Sequence, residues 1–395
     1  MNNESLLKIA REYGTPTFVF DADEFKNQAD RIKNAIGDIP LCYSIKANPF
    51  LLQQILSSTL LCKLPESVGY VEVCSPGELE ICRALKVDPG KIIYSGVNKG
   101  AEDIGCAVDY GAAILTAESR LHVELINRVC GEKGKKARLI LRLTSGNQFG
   151  MDPAEIADII AKRDYFDSVE IIGLHYYSGT QKKNVGVIEK DLCAFMGFID
   201  SLEREQGYVP SHIEYGPGMA ADYFVPPYEE KDAETLREVG ELLQRFNKKR
   251  PLSVEMGRFL ASSCGTYLTS VADIKNNLGT SYVICDGGIN HLKYYGQTMA
   301  MQVPPITLLT GDGDYDHSYT LCGSLCTTAD LLVRKVTLPE LRLGDILAFG
   351  RCGAYTITEG TVLFLSRTMP RVLLSSEKNG IRLMRDFLDT YKMNY

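Results

Sequence analysis

The sequence predicts an α/β protein: a (β/α)8 TIM barrel joined to a C-terminal all-β domain. Eight short β-rich runs alternate with helical stretches over roughly 230 residues. After about residue 262 the helical spacing fades, and short β runs broken by Gly, Asn and Asp replace it. Glycine-rich and polar residues fall just past the ends of several of the eight runs, where a barrel carries its ligand-facing groups.

The eight runs are Leu41–Ile45, Val71–Cys74, Lys91–Ser95, Ala113–Thr116, Ala137–Leu143, Val169–Tyr177, His212–Tyr215 and Leu252–Glu255. Each of the first seven precedes a stretch with helical apolar spacing or helix-start chemistry. Ser75-Pro-Gly-Glu78 is a capping box with proline at the first helical position, and Leu79, Cys82 and Leu85 recur on one face. Asp152-Pro-Ala-Glu155 repeats the device before Ile156, Ile159 and Ile160. Val187–Glu205 and Lys231–Lys249 read as exposed helices. An open doubly wound sheet also alternates in this way, but eight runs favour the closed barrel.

Beyond residue 262 the β runs are Tyr267–Ile274, Ser281–Cys285, Tyr319–Leu321, Asp345–Phe349, Val362–Ser366 and Arg371–Leu374, and helical spacing returns at Ile381–Tyr391. Thr17–Phe20 is a further strand expected to join this second domain. The expected division is therefore a barrel over 30–262 and a β-sandwich or β-barrel domain over 263–395, with 1–29 contributing a strand.

Composition narrows the function. With 395 residues, 45% apolar and 24% charged, the chain resembles an ordinary globular protein large enough for two domains. Its net charge of −7 disfavours nucleic acid or an anionic membrane as partner. No apolar run is long enough to span a bilayer, and Met1-Asn-Asn-Glu-Ser-Leu-Leu7 lacks signal-peptide features. The twelve cysteines include no C-x-x-C pair and sit largely in apolar runs, so reduced thiols and a cytoplasmic location are expected. The five histidines show no ligand spacing, and no metal site is expected.

Lys46 is the residue that opens the chemistry. It ends the apolar run before Ala47-Asn-Pro49. A lysine there is most often a snorkelling surface residue; otherwise it is a placed amine that forms a Schiff base with a carbonyl substrate or pyridoxal phosphate (PLP). The other strand ends offer compatible partners. Gly216-Pro-Gly218 can bring backbone N–H groups to an anion, although a lone G-x-G is usually a plain turn. Thr180 adds a hydroxyl and Arg258 a guanidinium fork. Glu255 emerges from an apolar strand, where a pyridinium nitrogen or, more plainly, Arg258 would pair it. Cys326, in Cys322-Gly-Ser-Leu-Cys326, is either a packed small residue or a proton donor.

In this order the motifs resemble those of the PLP-dependent decarboxylases with an alanine-racemase-like barrel, which include diaminopimelate and ornithine decarboxylases. Tyr43-Ser-Ile-Lys-Ala-Asn48 looks like the cofactor-lysine motif, and Ser75-Pro-Gly-Glu-Leu79 resembles Ser-x-Gly-Glu-Leu. Glu255-Met-Gly-Arg258 resembles Glu-Pro-Gly-Arg, and Asp286-Gly-Gly-Ile-Asn290 resembles Asp-Gly-Gly-Met-Asn. Gly323-Ser-Leu-Cys326 and Gly353-Ala-Tyr355 resemble Gly-Pro-x-Cys and Gly-Ala-Tyr. The resemblance implies that Lys46 carries PLP and that Glu255 faces the pyridine nitrogen. Thr180, Gly216, Gly218, Arg258 and Tyr355 would hold the phosphate, with Gly257 in the same cofactor set and Arg142 on the ring-oxygen side. Cys326, reaching in from a neighbouring subunit, or a water would protonate the α-carbon, and the shared cysteine implies a homodimer with shared active sites.

Three positions depart from the family pattern. Tyr177 stands where the family has a ring-stacking histidine, Thr327 where diaminopimelate decarboxylases have a glutamate, and Tyr294 where an arginine is expected. The last two, with Asp330, are the expected substrate-side residues. The expected reaction is α-decarboxylation of an amino acid other than diaminopimelate, resembling the subgroup that acts on modified or carrier-protein-linked amino acids. The alternatives are an amino-acid racemase, diaminopimelate decarboxylation itself, or a non-catalytic PLP carrier.

Overall fold

A computed structural model describes residues 1–52 and 69–395. The chain forms two compact units. One comprises Met1–Asn27, Asp222–Glu229 and Ala261–Tyr395; the other comprises Gln28–Ala221 and Glu230–Leu260.

The first elements are α1 (Asn3–Tyr13), β1 (Thr17–Asp21) and α2 (Ala22–Ile36). Asn2 caps α1 by accepting from the Ser5 amide, and Gly14 ends it at φ +77°. The second unit then runs β2 (Leu41–Ser44), β3 (Tyr70–Val73), α3 (Pro76–Ala84), β4 (Ile92–Tyr94), α4 (Ala101–Tyr110), β5 (Ile114–Ala117), α5 (Arg120–Glu132), β6 (Ala137–Leu143), α6 (Pro153–Ala161), β7 (Val169–Tyr177), α7 (Val185–Gln206), β8 (His212–Gly216), α8 (Tyr228–Asn247) and β9 (Ser253–Met256). Strands β2 to β9 close into an eight-stranded parallel barrel. All eight expected strands are present, each within a residue or so of its expected span. The helix expected after the first strand falls mainly on 53–68, outside the described residues.

Local chemistry explains the helix starts. Ser75 accepts from the Glu78 amide, while the Glu78 carboxylate accepts at 2.7 Å from the Cys74 amide, one residue before the cap, so α3 begins in a variant of the expected box. The second expected box is only half realised. Pro153 starts α6, but Asp152 is exposed and its side chain caps nothing.

Register divides the barrel interior into two layers. Cys42, Ile93, Ile114, Ile140 and Ile172 pack as an apolar cluster. Because inward positions recur every second residue, the next positions toward the C-terminal ends are Ser44, Ser95, Thr116 and Arg142. Strand pairing sets Ser44 beside Glu72, Cys42 beside Glu255, and His175 beside both Arg142 and Glu214. The polar layer thus lies on the side from which barrel loops bind ligands.

The other unit is strand-rich: β10 (Gly265–Asn277), β11 (Thr280–Cys285), β12 (Ile306–Leu308), β13 (His317–Cys322), β14 (Leu331–Leu338), β15 (Ile346–Phe349), β16 (Arg371–Ser376) and β17 (Gly380–Arg385). With β1 they form a nine-stranded sheet ordered β14-β13-β11-β10-β1-β16-β17, in which β15 pairs with β10 and β12. The expected strand at Thr17–Phe20 joins this sheet between β10 and β16. Two expectations are corrected. Ile381–Tyr391 is not a helix: Asn379-Gly380, with Gly380 at φ +67°, turns the chain into the hairpin strand β17. Val362–Ser366 is not a strand, because Leu365 and Ser366 take positive φ in a 3-10 turn. No helix among the described residues is long and apolar enough to cross a membrane.

Candidate active site

A 3-10 turn at Ile45–Ala47 lifts Lys46 off the end of β2. Tyr43 Oη donates to the Asn48 carbonyl at 2.8 Å, and Asn48 Oδ1 accepts from the Phe50 amide at 3.1 Å, so the turn is braced on both sides. Lys46 Nζ then lies 2.6 Å from Glu72 Oε2, 3.5 Å from Glu255 Oε1 and 3.4 Å from Cys74 Sγ. The placed-amine reading of Lys46 fits this geometry; a snorkelling lysine would point away from buried carboxylates.

Three carboxyl groups meet in the polar layer: Glu72 (3% exposed), Glu214 (1%) and Glu255 (9%). Ser44 Oγ is 2.7 Å from Glu72 Oε2 and 2.6 Å from Glu255 Oε1. His175 Nε2 is 3.2 Å from Glu255 Oε2, and His175, Glu214 and Glu255 bring polar atoms within 4.8 Å of one another. Burial and then the Glu255 charge raise the Glu72 pKa, against the pull of Lys46 and Ser44. Burial also pushes Glu255 up, but Lys46, His175 and Ser44 outweigh it and hold that carboxyl well below its ordinary value. The two neighbouring carboxyls are thus pushed in opposite directions, Glu72 up and Glu255 down.

The loops after β7 and β8 lie against each other. A side chain at Gly216 would come 2.5 Å from the Tyr177 ring, and one at Gly218 (φ +62°) would come 1.8 Å from the Gly179 carbonyl. Only glycine permits this approach. The Lys182 amide donates to the Gly218 carbonyl at 2.9 Å, and Arg258 Nε donates to Thr180 Oγ1 at 3.2 Å. Gly257 makes the turn between Glu255 and Arg258. Tyr177 is half-buried, and burial raises its phenol pKa.

Arg142 donates from Nη1 to Glu118 Oε1 at 2.6 Å and lies 4.8 Å from the Phe149 ring centroid. Glu118 Oε2 accepts from the Gly150 amide at 3.1 Å. Beside them is Lys99, 4% exposed, which donates to the Gly96 carbonyl. Burial lowers its amine to about 8.

The sequence reading missed Ser44, Glu72, Cys74, Lys99 and His175. Glu72 had a visible signal: it is an acid inside the apolar run Tyr70–Val73, with inward parity. Tyr355 and Cys326 belong to the strand-rich unit. Cys326 is exposed between β13 and β14, and Tyr355 sits at φ +66°. Asp330 accepts from the Ile289 and Leu325 amides at 2.8 and 2.7 Å, and Tyr294 Oη donates to the Gly350 carbonyl at 2.6 Å. The polar atoms of both are thus engaged within their own unit. Thr327 Oγ1 accepts from the Ala329 amide at 3.2 Å. All eleven cysteines among the described residues are free thiols.

A family model described as "Pyridoxal-dependent decarboxylase, pyridoxal binding domain" matches residues 22–262. The chain is 24% identical over 402 residues to a diaminopimelate decarboxylase of Aquifex aeolicus, covering 96% of this chain and 91% of that one. It is 26% identical over 407 residues to an L-glutamyl-[BtrI acyl-carrier protein] decarboxylase of Niallia circulans, covering 96% and 92%. The solved diaminopimelate decarboxylase of M. jannaschii, in complex with L-lysine, shares the fold with a TM-score of 0.85 at 22% identity, covering 98% and 93%. The chain belongs to the pyridoxal-dependent decarboxylase family. It is a PLP-dependent amino-acid decarboxylase, and PLP is its cofactor.

The side chains present fit that cofactor. An amine stands at the strand end, a hydroxyl and guanidinium flank side-chain-free turns suited to phosphate, and an anionic carboxyl lies below. Two buried polar atoms, His175 Nδ1 and Arg142 Nε, have no hydrogen-bond partner among the described residues.

Proposed function

We propose that the chain removes the α-carboxylate of an amino acid whose far end carries no charge for the protein to pair, a modified or carrier-protein-linked amino acid. PLP supplies the electron sink that accepts the electron pair left as carbon dioxide departs. In this reading Lys46 would hold the cofactor through its amine. Glu255, oriented by Ser44 and His175, faces the ring nitrogen, and Tyr177 stacks on the ring. Thr180, Gly216, Gly218, Arg258 and Tyr355 hold the phosphate, with Gly257 keeping Glu255 and Arg258 in register. Arg142, fixed by Glu118, faces the ring oxygen. Cys326, delivered by the partner in a homodimer, gives the proton to the α-carbon. The enzyme works in the cytoplasm, in keeping with its free thiols.

The observation that carries the assignment is the amine of Lys46 beside Glu72 and Glu255 at the end of the first barrel strand. The substrate reading is supported by Thr327 and by Tyr294, whose hydroxyl is already spent on the Gly350 carbonyl. Leaving a charged substrate end without its partner costs roughly 2–5 kcal/mol. The Niallia circulans relative is named for a carrier-linked glutamyl substrate.

Carbon dioxide release measured across free and carrier-linked amino acids tests this. Turnover of neutral-ended or carrier-linked substrates, with little on diaminopimelate, is expected. Turnover confined to diaminopimelate would overturn the substrate reading. Loss of optical rotation without carbon dioxide would point to racemisation.

A further inference from the structure

The contacts of Ser44 carry a proton count. Its hydroxyl has one hydrogen, yet it sits 2.6 Å from one carboxyl oxygen and 2.7 Å from another. It can donate to only one of them. If both carboxyls were ionised, the other contact would press a hydroxyl lone pair against a carboxylate oxygen. While Lys46 is an ammonium, 2.6 Å from Glu72 Oε2 and 3.5 Å from Glu255 Oε1, its charge offsets that repulsion; once Lys46 carries no charge, both contacts are favourable only if one carboxyl is itself an acid that donates to Ser44. The geometry says which. Glu255 Oε2 is met by His175 Nε2 and its Oε1 also faces Lys46, so the anion is best placed on Glu255. Glu72 Oε2 lies between Ser44 Oγ and Lys46 Nζ, in contact with both. The pKa directions agree, with Glu72 raised and Glu255 lowered. The titratable groups around them are Cys42 from β2, Cys74 and Glu78 from the β3–α3 side, Lys99 after β4, and His175, Tyr177 and Glu214 from β7 and β8.

We infer that Glu72 and Ser44 form a proton relay that exchanges one proton with Lys46 and couples it to Glu255. This rests on the reading of Lys46 as the cofactor lysine. When Lys46 is freed as a neutral amine, the Glu72 carboxyl gives up its proton: COOH plus NH2 becomes COO⁻ plus NH3⁺, with no other atom moved. The Ser44 hydroxyl then turns from Glu255 to the new Glu72 carboxylate. When Lys46 re-attaches, the proton returns to Glu72 and Ser44 turns back. Glu72 thereby protonates the lysine once it is freed and takes the proton back, so that the lysine returns as a nucleophilic amine. Total charge in the layer is unchanged throughout, which limits the desolvation cost of each transfer.

Two measurements test it. The first is infrared spectroscopy of the full chain at pH 7, with and without PLP. In the PLP-loaded chain the wild type minus Glu72→Gln difference should show the C=O stretch of a protonated carboxyl that shifts in heavy water, and in the cofactor-free chain, where Lys46 holds the proton, it should not. Absence of that band from the PLP-loaded chain would overturn the relay, because Glu72 would then hold no proton to give. The second is exchange of the PLP-loaded chain with methylamine, followed by absorbance across pH. Methylamine displaces a lysine but cannot be decarboxylated. Glu72→Gln should slow exchange at least tenfold and flatten its pH profile. Ser44→Ala should move the profile, and Ser44→Thr, which keeps the hydroxyl, should restore it. Equal rates and profiles in all four proteins would also overturn the relay. A wild type that binds PLP but shows no lysine-linked absorbance would instead defeat the reading of Lys46 on which the relay rests.

Discussion

Lys46 Nζ and Glu72 Oε2 are 2.6 Å apart, and the two residues reach each other from neighbouring barrel strands whose register sets Ser44 directly beside Glu72. The part-exposed lysine answers to two buried carboxyls, and removing either acid alters the other. Glu72→Gln should leave Glu255 as the dominant partner of Lys46, so PLP is retained while lysine exchange slows.

The pair Arg142–Glu118 is a separate, structural test. Glu118 is 2% exposed and Arg142 12% at the side chain. Arg142→Met strands a buried carboxylate and should cost about 3–5 kcal/mol in urea unfolding. Glu118→Gln on that background should recover part of the loss, since the glutamine carbonyl still accepts from the Gly150 amide. Additive losses in the double variant would contradict the pairing.

Lys99 gives a pH signature. An unfolded lysine titrates near 10.5, and burial lowers the folded one to about 8. Between these values the unfolded chain binds the proton and the folded chain does not, so stability rises with pH there and is lost as pH falls through 8. The amplitude is roughly 3 kcal/mol. Lys99→Met should abolish this slope in denaturation curves taken from pH 8 to 10, and an unchanged slope would refute the assignment.

His291 tests the strand-rich unit at the acid end. Its Nε2 is 3.0 Å from the Thr368 carbonyl and so donates, leaving Nδ1 to accept from Tyr267 Oη at 3.1 Å. Burial lowers its pKa to about 4. Between pH 6.5 and 4 the unfolded histidine is charged and the folded one is not, so stability falls as pH drops through that window. His291→Gln should flatten thermal unfolding temperature against pH in the window.

Gly218 tests the anion cradle. Gly218→Ala sets a methyl against the Gly179 carbonyl at a positive φ. PLP affinity should fall at least tenfold by absorbance titration, with the barrel's circular dichroism retained. Wild-type affinity would remove the loop from the cofactor site.

Sequence alone revealed the parts of this molecule governed by local period and by spaced motifs. Strands β2 to β9 were legible because each is a short apolar run bounded by turn or cap residues, and Lys46, Glu255 and Arg258 because they sit at strand ends. What was missed depends on register between distant strands. Ser44 looks like a filler inside Tyr43-Ser-Ile-Lys46, and Glu72 like an isolated acid, until pairing brings them into contact. His175 shares the difficulty: only the β6–β7 bulge fixes which face it takes. The helical reading of Ile381–Tyr391 failed because a single Asn-Gly turn outweighed the apolar spacing.

The central claim is that Lys46 is the residue that carries PLP. Borohydride reduction of the PLP-loaded chain, followed by peptide mass spectrometry, tests it most directly. The account predicts a reduced pyridoxyl group on the peptide containing Lys46, with the visible absorbance lost in Lys46→Ala. A pyridoxyl group on another lysine, above all the buried low-pKa Lys99, or none in the PLP-loaded wild type, would contradict it.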